Sequence, residues 1–280
     1  MVANPCCRPR MNEPLNLPEI PMPDVTIDSA KTFLLDAELP PVDHSRDPML
    51  LDGDTPQFDE NKDQAVVIGS GVLTFSRGVP AERRTAVANS LLLAQLVARR
   101  TAGDPDNVEA WYKEYVRVLA NIGWLIESTT ATRYVEGSDR FETHKAVMSV
   151  AALLLGPGAP GALALVQTTL DGLASMDKSK PWITIFSRET SASSVSSFQV
   201  ALAEEAADGR FVVSMMAFAL KAGSAVTQVL FFKASSNDVE FTHYDSRAEI
   251  NVGILDALEP ELGNRVAQHS KSFISQLPDL

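Results

Sequence analysis

"ADGRFVVSMMAFALKAG", residues 207–223, decides how the chain is read. Asp208-Gly209 at one end and Gly223 at the other are tight-turn chemistry, and between them the apolar residues fall on both faces of a period-two repeat. A strand with no polar face must be covered on both sides, so it belongs in the middle of a sheet. On either side of it the same period continues. "SSVSSFQVALAEEA" (193–206) alternates Phe198, Val200 and Leu202, and "NDVEFTHYDSRAEI" (237–250) alternates Val239, Phe241 and His243 against Glu240, Thr242 and Tyr244. "SAVTQVLFFKAS" (224–235) reads as a strand between them, and "PWITIFS" (181–187) as a fifth.

Further out the period changes to that of a helix. "VPAERRTAVANSLLLAQLVARRTAG" (79–103) places Pro80 in a first turn and Gly103 at the stop, with apolar residues over much of its circumference. In "DPDNVEAWYKEYVRVLANIGWLIES" (104–128), Asp104 offers a cap, and Val108, Trp111, Tyr115, Val118, Ile122 and Ile126 keep a helical rhythm. "SVAALLLGPGAPGALALVQTTL" (149–170) has no charged side chain, and Gly156 to Gly161 interrupts it with the strongest turn-formers. Each arm is too short for a bilayer of about 30 Å hydrocarbon, so the stretch reads as a helical hairpin and not as one span. At the C-terminal side, Leu258, Leu262, Val266, His269 and Phe273 form a helical stripe that Pro260 restarts. Helices followed by strands give an α+β fold: helical hairpins packed on an antiparallel β-meander of four to five strands, closed by a C-terminal helix.

Residues 1–64 have a different composition. They hold ten of the 17 prolines, with thirteen acidic residues against five basic ones, in a chain of net charge -12. Such a segment cannot offset the entropy of ordering by burial. It is expected as an acidic, Pro-rich, disordered or extended tail, with one local element around "SAKTFLLDAEL" (29–39), ahead of a single α+β domain over 65–280. The acidic balance and the absence of any Lys/Arg cluster beyond pairs such as Arg83-Arg84 argue against nucleic acid as a partner. "MVANPCCRPR" lacks the apolar region of a secretory signal, so the protein is expected to be cytoplasmic as made, with any export following a signal-independent route.

Chemical motifs are scarce. Gly69-Ser70-Gly71 lacks the third glycine of a dinucleotide fingerprint, since position 74 is Thr, and reads as a turn. His44, His144, His243 and His269 are in no metal-ligand spacing, and Cys6 and Cys7 are the two cysteines, so no metal site is expected. His243 reads as a core or edge histidine, Glu204-Glu205 as a solvated hairpin end, and the Ser-rich "FSRETSASSVSSF" (186–198) as a loop or polar strand face without a nucleophile elbow. No catalytic residue is assigned, and the chain reads as non-enzymatic. Cys6 and Cys7, beside Arg8 and Arg10, are candidates for S-acylation.

In segment order and in short strings, "YKEYVRVLANIGWLIES" (112–128), the apolar hairpin 146–170, "SSFQVALAEE" (196–205), "TQVLFFKASSNDVEF" (227–241) and "ISQLPDL" (274–280), the chain resembles the Evf (Erwinia virulence factor) family over about residues 65–280. That resemblance implies a compact α+β protein linked to bacterial persistence in an insect gut, with a fatty acid attached to a cysteine. This sequence departs from it in having no cysteine after Cys7, so no acylated residue carries over.

Two functions are expected from these features. One is a lipid- or membrane-interacting, virulence- or effector-like protein, with Leu153, Leu154, Leu155, Leu163, Leu165 and Val166 lining an apolar groove that could retain a fatty acid. The other is a structural or protein-interaction module that docks a protein partner through the acidic tail or a sheet edge.

Overall fold

A computed structural model describes residues 13–15, 21–41, 56–175, 181–190, 195–206, 208–226 and 228–277. Its centre is one mixed sheet with the spatial order β1-β4-β9-β7-β6-β3-β2-β10. The six main strands are β2 (Gln64–Ile68), β3 (Gly71–Phe75), β4 (Trp124–Tyr134), β6 (Ser196–Glu205), β7 (Phe211–Ala222) and β9 (Val239–Ile250). Short strands β1 (Glu13–Pro14) and β10 (Ile274–Gln276) close the two edges, and β5 (Arg140–Glu142) pairs with β8 (Lys233–Ser235) in a separate ribbon. All pairings are antiparallel except β3 with β6, which is parallel.

Strand β7, the run that is apolar on both faces, lies where those faces require. Val213, Met215 and Ala217 enter one core; Met216, Phe218 and Leu220 enter another on the opposite side. Helices cover both faces. The back layer is α1 (Ile27–Asp36), α2 (Ala81–Ala102), α3 (Val108–Asn121) and α7 (Val252–Phe273); the front layer is α4 (Thr143–Leu155), α5 (Pro160–Ser175) and α6 (Pro181–Thr190). The fold is α+β.

The sheet is larger than a four- to five-stranded meander and is not wholly antiparallel. Of the expected run, β6, β7 and β9 pair as read, but 224–235 leaves the sheet. There a 3-10 turn at Val229–Phe231 buries both Val229 and Leu230, neighbours that a one-faced strand would send to opposite sides. Residues 181–190 are helical, not a strand. Their buried side chains include Ile185, Phe186, Glu189 and Thr190, a four-residue spacing, and Pro181 stands at the first helical position, where its missing N–H costs nothing.

The helix read through 104–128 stops at Asn121. Gly123 has φ +91°, and a Cβ there would lie 2.6 Å from Cγ2 of Ile254, so the chain turns and the following residues become β4. Asn107 caps α3 in place of Asp104, its side chain accepting a hydrogen bond from Ala110 N. The Gly-Ser-Gly motif is the turn of the β2–β3 hairpin, pinned by Gln95: its Nε2 donates to Ile68 O and its Oε1 accepts from Ser70 N. The C-terminal stripe is buried as read, on one continuous helix that contains Pro260.

Within the segment 1–64 the local element is α1, with a capping box formed by Thr26 and Ser29. Ala30 and Leu34 are fully buried in the back core. Arg265 donates to Ala37 O, His269 Nε2 lies 3.1 Å from Pro40 O, and Lys31 pairs with Glu261.

Candidate functional site

The uncharged hairpin forms as read. α4 ends at Gly156, whose φ of +73° suits the turn, and α5 restarts at Pro160. Its inner side fills the front core: Ala146, Val147, Val150, Ala151, Leu155, Ala162, Val166, Leu170 and Leu173 are buried. Beneath them lies an aromatic floor. Phe198 stacks on Phe218 at 4.8 Å, Phe218 on Phe241 at 5.3 Å, and Phe141 and Tyr134 close the cluster against Phe241.

The outer side is unusual for a helix in water. Between Lys145 and Asp171 no residue carries a charge. Leu153 is 69% exposed, Ala152 and Ala164 are exposed, and Leu154, Leu163 and Leu165 are half-buried. The six candidate residues therefore divide between the hairpin's two sides, with Leu155 and Val166 facing inward and Leu153 outward.

The two layers are fastened to the sheet by different means. In the back layer polar side chains are bonded into it: Gln95 to the β2–β3 turn, Tyr112 Oη to Ser246 Oγ, and Arg84 to the loops flanking β2 and β3. Fewer polar contacts serve the hairpin, Thr74 with Thr169 at 3.1 Å and Thr143, whose N–H and hydroxyl donate to Phe232 O; most of its remaining inner surface is hydrocarbon. At the base of the hairpin, Glu142 bonds Lys145 at 2.9 Å and Lys233 at 3.0 Å. These two ammonium groups hold its carboxyl at about 2.

Among the described residues, the other polar groups form no reacting constellation. His243 is 3% exposed, and its Nδ1 lies 2.8 Å from Asp245 Oδ2, while its Nε2 is buried with no partner among the described residues. Glu205 is exposed as expected of a hairpin end; Glu204 is half-buried, and burial raises its carboxyl above the usual range. His144 lies beside Glu142, and His269 is buried on α7 against Pro40. Cys6, Cys7 and His44 lie outside the described residues. Among the described residues, no group of three or more His, Cys, Asp or Glu side chains could hold a metal ion. Among them, too, no helix is long and apolar enough to cross a membrane.

Cavities away from the hairpin include one of about 590 Å³ beside Pro40, Arg265 and His269 and two smaller ones. One of these, of about 400 Å³, is walled by Met22, Val25, Trp124, Leu125, Ile126 and Ile254. The other, of about 300 Å³, lies where the ends of α2 and α6, the start of α3, the β2–β3 turn and the start of β6 meet; its lining includes Ser70, Arg99, Asp104, Trp111, Glu189 and Ser197. Sequence reading missed this second group, whose members are spread from residue 70 to residue 197 with no shared motif.

The class defined so far is an α+β protein with a mixed sheet between two helical layers, one of them carrying an uncharged hairpin. Among solved structures the chain is similar to one titled delta-endotoxin, at 14% identity and a TM-score of 0.35, covering 69% of this chain and 90% of that one. It is also similar to the structure of the Evf virulence factor, at 9% identity and a TM-score of 0.32, covering 75% of this chain and 84% of that one. The resemblance to Evf seen in the sequence thus has a weak structural counterpart. No protein-family model matches the chain, and no curated protein sequence does.

Proposed function

We propose that this is a non-enzymatic, lipid- or membrane-interacting protein whose contact element is the α4–α5 hairpin. One observation carries the reading: a solvent-facing helical hairpin with no charge from residue 146 to residue 170 and with Leu153 69% exposed at its outer end. Exposed helix faces are ordinarily charged, and a contiguous apolar surface is stable in water only at a cost that burial against lipid removes. The inner fastening supports the same reading. Hydrocarbon contacts under the hairpin can be exchanged for acyl chains at little cost, whereas the polar bonds of the back layer cannot. A fatty acid held non-covalently against the hairpin, or S-acylation at Cys6 or Cys7, would add about 0.8 kcal/mol per buried CH₂. The virulence- or effector-like role follows the sequence likeness to the Evf family.

The alternative, docking of a protein partner, is favoured by one observation at the tail: α1 already binds the back layer through Leu34, Arg265 and His269. The sheet edges offer less, since both are occupied by two- or three-residue strands.

The test is co-sedimentation with phosphatidylcholine vesicles, comparing the wild type with Leu153→Glu. Burying a leucine is worth about 1.5–3 kcal/mol, so the variant should partition roughly ten- to a hundredfold less. Because Leu153 is exposed, its melting temperature should stay close to that of the wild type. Equal binding by both proteins, or binding by neither, would reject the hairpin as a lipid-contacting element.

A further inference from the structure

We propose that the 300 Å³ cleft between α2, α3 and α6 is a binding site for a neutral sugar residue. It shares no residue with the hairpin and stands independently of the lipid reading. The cleft is at the small end of ligand pockets, a size suited to a single ring. Its walls are of two kinds. Pro105, Val108 and Trp111 are apolar; the hydroxyl-bearing Ser70 and Ser197, with Arg99, Asp104 and Glu189, are polar.

Trp111 is stacked on Tyr115, with centroids 5.0 Å apart and planes at 18°, so the indole is held rigid by the ring behind it. A fixed indole beside polar groups suits a ligand that is apolar on one face and polar at its edge, as a sugar ring is.

Counting Arg188, which pairs with Glu189 from outside the lining, two cations balance two carboxylates at the cleft. Glu189 has a side chain 3% exposed and accepts from both Arg99 and Arg188. Burial raises its carboxyl, but the two guanidinium groups outweigh that and hold it ionised. Arg99 is 39% exposed and lines the cleft, so its guanidinium carries N–H groups beyond the one bonded to Glu189; exposed Asp104 lines it too, with one carboxylate oxygen accepting from Asp106 N at 3.0 Å. A free anion would meet Asp104 and a free cation would meet Arg99. A pair of hydroxyls, each both donor and acceptor, satisfies the two together. Neutral, mixed polarity beside an indole therefore selects a polyol ring over an ion.

The experiment uses the full chain with methyl glycosides of glucose, galactose, mannose and N-acetylglucosamine, and with inorganic phosphate and phosphocholine as comparisons. Saturation-transfer NMR and tryptophan fluorescence report binding. At least one glycoside should bind saturably, roughly tenfold more weakly to Trp111→Leu and to Asp104→Asn, and unchanged to Leu153→Glu. Asp104 is exposed, so its variant keeps the test valid should loss of Trp111 disturb the fold. Absence of transfer to every glycoside, binding undiminished in both cleft variants, or binding of phosphate or phosphocholine in preference to the glycosides would overturn the proposal.

Discussion

Arg84 is fully buried in the back core. Its guanidinium donates to Val79 O, Gln64 Oε1, Lys62 O and Ser76 O at 2.8–3.0 Å and lies 5.4 Å from the Phe75 ring centroid. All these acceptors are neutral oxygens, so one side chain closes the loop before β2 and the turn after β3 at once. Arg84→Met would remove the one donor that these four oxygens share, leaving Gln64 Oε1 only Asp59 N. The expected cost is about 3 kcal/mol or more, read as a lower urea midpoint. Arg84→Lys should recover little, because an ammonium cannot span the same fork. In the sequence Arg83-Arg84 is merely a short basic pair. Which of the two enters the core depends on helix phase relative to a sheet that the local sequence does not contain. Gly123 is of the same kind: its position in a helical rhythm conceals a left-handed φ and the approach of Ile254, residues apart by more than a hundred positions.

At the scale of elements, the hairpin, the β2–β3 turn, β6, β7, β9 and the helical stripes were legible, because each is specified by its own periodicity and turn residues. α6 and β4 were not. Over a few residues "PWITIFS" satisfies either period, and only the burial of Ile185 and Phe186 together with Glu189 and Thr190 separates them. The parallel β3–β6 pair was invisible for a different reason, since register between strands more than a hundred residues apart is set by tertiary packing. The base of the hairpin gives a pH prediction. Glu142 has its carboxyl depressed from an ordinary 4.5 to about 2, so its contribution is complete above the unfolded value and is lost as pH falls through about 2. The hairpin should stay fastened from neutral pH down to about 4.5 and loosen only under strong acid. Glu142→Gln should remove that acid-dependent part of the melting curve; an unchanged acid limb would show that Lys145 and Lys233 do not act through it.

Over the whole molecule, the back and front layers differ in how they are held to the sheet. The back layer holds the larger share of buried polar bonds and receives α1 from the proline-rich segment. Composition marks residues 1–64 as different but does not show that parts of them join the fold, α1 among them, since its docking depends on a matching surface on α7. Leu34→Ala should therefore destabilise the protein by about 3 kcal/mol, measured by thermal or urea unfolding. A cost near zero would mean that the segment is a passive linker. The candidate site divides in the same way. The uncharged hairpin was plain from residues 149–170, whereas the cleft at Trp111, Arg99 and Glu189 exists only after five elements converge.

The central claim is that the outer end of the hairpin meets lipid. The direct measurement places an environment-sensitive fluorophore on Leu153→Cys, and separately on Leu35→Cys of the opposite layer, with Cys6 and Cys7 replaced by serine. Leu35 is 64% exposed, so both probes start in water. On addition of phosphatidylcholine vesicles, the probe at 153 should brighten and shift to the blue while the probe at 35 stays unchanged. No change at 153, or an equal change at both positions, would contradict the account.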